Sequence, residues 1–340
     1  MNHAKSVQIN PMNAKELLEL YAAGNRDFTG VNLIGADLTH ANLAGANFSG
    51  AFLTGACFSR AFLNNVNFTG AFLYRTDLSF AKLQNSNLLQ ADLTKANLKG
   101  ANLLKSCLVG AKLSGAIITG VNLAAANLSG VNFCGSDLSG INLRNANLSG
   151  ANLNWANLSG ARLSGANLSG AAINNIKLSG AWLNGVDMSG FNLEGCSLEE
   201  AKLSGANLTG ANLTASNLTH SAMRFAILNR ANLQAANLNS AQLRKAALSE
   251  ANLSKADLSD ADLSEADLTG ANLNLANLQN ADLSHASLRG AYLWKANLDG
   301  CKLYRCNLIG ASLRHADTTG VDWSEAILTD ATMPDGTINN

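Results

Sequence analysis

The chain has 340 residues, of which 47% are hydrophobic and 14% charged, and its 24 Lys+Arg balance its 24 Asp+Glu. That supplies a large core at zero net charge and argues against a whole-molecule polycation or polyanion. No run of 18 apolar residues occurs, so no transmembrane helix is expected, and the opening "MNHAKSVQINPMN" lacks the apolar stretch of a secretory signal.

In chain order, residues 1–12 read as a flexible N-terminal tail. "NAKELLELYAAG" (13–24) predicts a short helix. Asn13 is its N-cap, Glu16 completes a capping box, and Gly24 stops it. Leu17, Leu20 and Tyr21 form its apolar face, which is expected to cover whatever follows.

A word close to A-N-L-S-G then repeats without a slip over 26–333. Its central residue falls at 28, 33, 38 and onward to 328, giving (328 − 28)/5 + 1 = 61 words. Fifty centres are Leu. The others are Phe28, Phe48, Phe58, Phe68, Ile118, Phe133, Ile173, Met188, Met223, Thr318 and Trp323. Neither standard period fits. Five residues of helix advance about 500°, so the Leu stripe would wander around the axis. A straight strand would send successive Leu to opposite faces. The consistent solution is a chain that turns identically after every word. Ala and Leu, two apart, point inward, the residue between them points out, and Ser/Thr and Gly supply the turn. The only prolines, Pro11 and Pro334, lie outside the repeat, as expected where nearly every backbone N–H is needed.

Words such as A-N-L-S-G, A-D-L-S-E and A-N-L-T-G resemble those of pentapeptide-repeat proteins, A-(D/N)-L-X-X. The resemblance implies an all-β fold: a right-handed quadrilateral parallel β-helix with four words per coil. Sixty-one words would make about 15 coils, about 70 Å long at the inter-strand spacing. Thr318 and Trp323 break the Leu pattern near the end, Trp323 is read as part of a closing layer, and 334–340 read as a C-terminal tail.

If residues 20 apart stack, outward ladders follow. Lys245, Glu265, His285, Arg305 and Glu325 share a column, Arg230 meets Glu250, and Asp282, Lys302 and Asp322 alternate in sign. Arg162, Trp182 and Lys202 would set a tryptophan between two cations, and Trp294 would lie beneath Arg314. Phe52 and Phe72 stack in one column with Tyr74 on the same face, a candidate partner-contact surface. Six cysteines without a C-x-x-C pair read as reduced thiols. Serines sit at turns without a His–Asp arrangement, and His3, His40, His220, His285 and His315 are dispersed. No catalytic, cofactor or metal site is expected, and the interior is expected to be filled, without a substrate pocket.

The leading functional expectation is a rigid, non-catalytic, cytoplasmic scaffold for an unidentified protein partner, with self-association through the C-terminal end open and nucleic acid not expected. Its role is otherwise unassigned, as the resemblance implies for many members, numerous in cyanobacteria. The alternative the resemblance brings is a DNA-mimicking inhibitor or protector of a type II topoisomerase such as gyrase. Against it stand the zero net charge and a first 150 residues that hold 11 basic and 7 acidic groups. A left-handed β-helix acyltransferase would need a period of six.

Overall fold

The computed structural model describes residues 11–339. They fall into two compact units, the described parts of Met1–Leu153 with Ser169–Ala172 and of Asn154–Leu168 with Ile173–Asn340. Each unit is a stack of coils in which residues 20 apart form parallel bridges, for example Asn47↔Asn67 and Asn252↔Asn272. Four words therefore make one coil. The extended part of each word is short enough to carry a single bridge, so continuous strands are almost absent from this largely β solenoid.

The word accounts for all five of its backbone N–H groups, which is the demand buried backbone must meet. Leu33 N–H donates to Phe52 O at 2.8 Å and Gly35 N–H to Thr54 O at 3.0 Å, both in the following coil. Phe52 N–H donates back to Val31 O at 2.9 Å, and Ala36 N–H closes the turn on Leu33 O at 3.0 Å. The fourth residue's N–H goes to the side chain two residues before it, as Ser49 N–H does to Asn47 Oδ1 at 3.1 Å. This explains the Asn or Asp in each word. In five words where that place holds another residue, an Asn one coil earlier takes over. Gln84, Asn174, Ser204, Ser249 and Trp294 donate their N–H to Asn64, Asn154, Asn184, Asn229 and Asn274.

The fifth residue of every word from Gly30 to Gly320 has positive φ, as the third position of a type II turn requires. Many of these residues are not glycine; Trp155 sits at φ 63° and Phe225 at φ 59°. From Phe28 to Leu313 the Leu and Phe centres are buried, and so are most of the small residues two before them, although Val31, Ala36, Ala41, Ala116 and Ala171 are half-buried. Phe28, Phe48 and Phe68 stack at 5.5 Å between ring centroids, the expected core column. Thr76, Ser86 and Ser106, at inward places, donate their hydroxyls to the carbonyls of Leu53, Leu63 and Leu83.

Three details differ from the sequence expectation. Of the expected tail 1–12, residues 1–10 lie outside the described residues, and so does His3. Pro11 is not tail, for it bridges Asn32, whose carbonyl also accepts Met12 N–H at 3.0 Å. Helix α1 runs Ala14–Ala22. Asn13 caps it by accepting Glu16 N–H at 2.8 Å, Leu17 is fully buried, and Tyr21 Oη donates to Ala44 O at 2.8 Å. Leu20, expected inside, is 38% exposed. At the other end, β1 (Ala331–Thr332) pairs antiparallel with β2 (Ile338–Asn339), so most of the expected C-terminal tail is a hairpin. Its turn is set by Asp335 Oδ1, which accepts Thr337 N–H at 2.9 Å, and by Gly336 at φ 90°.

Candidate interaction surfaces

The parallel bridge Phe52↔Phe72 brings the two expected rings face to face, 5.0 Å apart and 8° from parallel. Phe72 is 46% exposed, Phe52 and Tyr74 are half-buried, and Arg75 lies 5.3 Å from the Tyr74 ring. The repeat spends its polar groups on itself, so an apolar pair of this kind stands out on the outer surface.

Several charge ladders form as expected. Arg230 reaches Glu250 at 2.8 Å, Lys245 reaches Glu265 at 3.2 Å, Arg305 reaches Glu325 at 3.6 Å, and Lys302 reaches Asp282 at 3.9 Å. Arg244, 21 residues before Glu265, also donates to it through Nε at 3.0 Å. An argument from columns alone misses that diagonal. The Arg244 hydrogen bond, then that of Lys245, holds the Glu265 carboxyl below its usual range. The column Arg162, Trp182, Lys202 forms through its bridges, but among the described residues no cation lies over the Trp182 ring. Trp294 likewise pairs with Lys295, at 4.6 Å, instead of Arg314. Long side chains lean along the coil as readily as across it.

The acidic stretch 250–268 is engaged in its own scaffold. Besides Glu250 and Glu265, Asp257, Asp262 and Asp267 accept the turn N–H groups of Ser259, Ser264 and Thr269. The same bond geometry lowers the acidity range of Asp187, mainly through the Ser189 N–H. All six cysteines are free thiols. Burial pushes those of Cys196, Cys301 and Cys306 up to about 12. Among the described residues no group of three His, Cys, Asp or Glu is placed to hold a metal ion, and no helix is long and apolar enough to cross a membrane.

The filled interior has exceptions. Surface openings of about 360, 420 and 340 Å³ are among those that interrupt the stacks. The first is lined by Ile117, Ile118 and Cys134, the second by Ile173, Leu193 and Cys196, the third by Cys301, Tyr304 and Glu325. At the first, Gly110, Leu113, Gly115, Ile118 and Gly120 make no backbone hydrogen bond to the next coil, although their equivalents from 203 to 300 do. At the second, Leu168, Ile173 and Asn175 do not, and the Cys196 thiol takes the Ile176 carbonyl at 3.2 Å. At the third the Lys302–Asp322 rung is missing. These three openings lie beside centres that depart from Leu and Phe, namely Ile118, then Ile173, then Thr318 and Trp323, whereas Met188 and Met223 depart too and keep their bonds to the next coil. Isoleucine branches at Cβ and places bulk beside the backbone, where leucine places it in the middle of the coil.

The family model described as pentapeptide repeats matches overlapping segments that run from residue 27 to residue 337. No curated protein matches. Among solved structures, HetL, a pentapeptide repeat protein involved in heterocyst differentiation regulation from the cyanobacterium Nostoc sp. strain PCC 7120, is 29% identical, over 96% of this chain and all of that one, at a TM-score of 0.18. A pentapeptide repeat protein of the Arabidopsis thaliana thylakoid lumen is 28% identical over 36% of this chain and 69% of its own, at 0.17. QnrB1, a plasmid-mediated fluoroquinolone resistance protein, is 19% identical over 59% and 88%, at 0.29. At such TM-scores the superpositions carry no argument about function.

Proposed function

The chain belongs to the pentapeptide-repeat family, and from that premise we propose that it is a non-catalytic, rigid interaction scaffold, wound as a right-handed four-sided helix, which engages a protein partner through Phe52, Phe72 and Tyr74. The observation that carries this is the parallel Phe52–Phe72 stack, apolar and accessible on a surface whose polar groups are bonded within the repeat. Contiguous exposed aromatics of this kind characterise partner sites. The six free thiols favour a reducing compartment, the cytoplasm. Ile327 and Ile338, 46% and 61% exposed, make the C-terminal end the place for self-association. The DNA-mimic reading gains little from the acidic stretch, because Asp257, Asp262 and Asp267 cap turns, Asp260 accepts from Asn280, and Glu250 and Glu265 pair with Arg230, Arg244 and Lys245.

The test is capture from lysate of the source cells on immobilised wild-type protein and on the F52A/F72A/Y74A variant, with circular dichroism showing that both are folded. The reading predicts a stoichiometric partner on the wild type that is lost from the variant. Equal recovery on both would refute the assignment of this surface.

A further inference from the structure

One side of the first unit's coils carries cations and aromatics but no carboxylate. The bridges Asn42↔Phe62, Phe62↔Lys82, Lys82↔Asn102 and Asn102↔Asn122 place 39–45, 59–65, 79–85, 99–105 and 119–125 on it. These segments contain Arg60, Lys82, Lys99 and Lys105, all exposed, and not one Asp or Glu. Asp27, Asp37, Asp77, Asp92 and Asp137 have their centres on the other three sides, and Glu16 and Glu19 belong to α1 beyond the first coil. Two phenylalanines stand among the cations. Phe62 is 40% exposed with Lys82 Nζ 4.4 Å from its ring centroid, and Phe80 is 49% exposed with Arg60 at 5.6 Å. Phe80 is held flat over Gly100, where a Cβ would fall 2.6 Å from its ring carbons.

We propose that this side, two words away from the Phe52–Phe72 stack, docks an acidic protein segment that also carries apolar side chains. The inference rests on the scaffold reading and adds a second surface to it. Uncompensated Lys and Arg attract carboxylates, and a ring already edged by a cation offers an apolar seat beside a charge that a carboxylate can reach. A long polyphosphate fits less well. It would overrun this side and meet the aspartates on its neighbours, while four cations give few phosphate contacts.

The experiment measures fluorescence anisotropy of a labelled twelve-residue peptide repeating Glu-Leu-Glu-Phe, titrated with the full chain. Its controls are the same peptide with Gln for Glu and a twenty-nucleotide oligo(dT). The wild type should bind the acidic peptide, more weakly as salt is raised. R60E/K82E should weaken binding about tenfold or more and F62A/F80A about fivefold, with F52A/F72A/Y74A unchanged. All these substitutions are at exposed or half-buried places, so circular dichroism should show the variants folded. Binding that survives R60E/K82E, depends instead on Phe52 and Phe72, or is tighter for oligo(dT) would overturn the proposal. The first two outcomes would leave the scaffold reading standing.

Discussion

The coils over 201–300 and the stretch 110–120 are written in nearly the same words, yet they differ in how they are held. From Leu203 to Leu298 every centre donates its N–H to the next coil, and each is buried. Across 110–120 five successive donors lack that bond, and Leu113 and Ile118 are each 6% exposed. The lesson is that a repeat distributes its stability rung by rung. One unsuitable centre loosens its own neighbourhood and leaves the rest intact.

The largest test of that contrast is an arginine at an inward place. Ala206→Arg buries an unpaired charge in a closed coil and should cost about 4 kcal/mol or more, seen as loss of cooperative melting. Ala116→Arg, at the same word position beside the first opening and only half-buried, should cost clearly less. Equal damage would remove the distinction between the two regions. Repair is the next test. Ile118→Leu should restore the missing rungs and raise stability by about 1 kcal/mol, measured by denaturant midpoint.

The thiols sharpen the comparison chemically. Cys134, exposed at the first opening, should be alkylated by iodoacetamide at pH 8, whereas Cys196, Cys301 and Cys306 should resist. Their folded values lie above their unfolded ones, so the protonated native state is favoured. That stability is complete below about pH 9 and is lost as pH rises toward 12, by about 1.4 kcal/mol per pH unit per thiol at most. The smallest effect belongs to the turns. Ala215 holds φ 53°, and Ala215→Gly should gain about 0.5–1 kcal/mol by relieving it.

Much of this was legible beforehand. Inward Ala and Leu and the recurring turn follow from the period alone, while the coil of 20 came with the family resemblance. The sequence marks Asn and Asp only as outward-facing, because the partner of their oxygen is a backbone N–H that becomes orphaned only once the turn exists. Ile118, Ile173, Thr318 and Trp323 were visible as exceptions, but their consequence depends on three-dimensional fit. The C-terminal hairpin is signalled by Pro334-Asp335-Gly336, a turn sequence at the start of the segment that otherwise reads as a tail. Phe52 and Phe72 were readable as a column. The cation-rich side around Phe62 and Phe80 was not, since Phe80 occupies a turn corner and joins that side only in the folded coil.

Amide hydrogen exchange followed by mass spectrometry tests the central claim most directly. The account predicts that peptides carrying Gly110, Leu113, Gly115, Ile118 and Gly120 exchange at least about 100-fold faster than those spanning 208–273. Uniform protection across both stretches would contradict it.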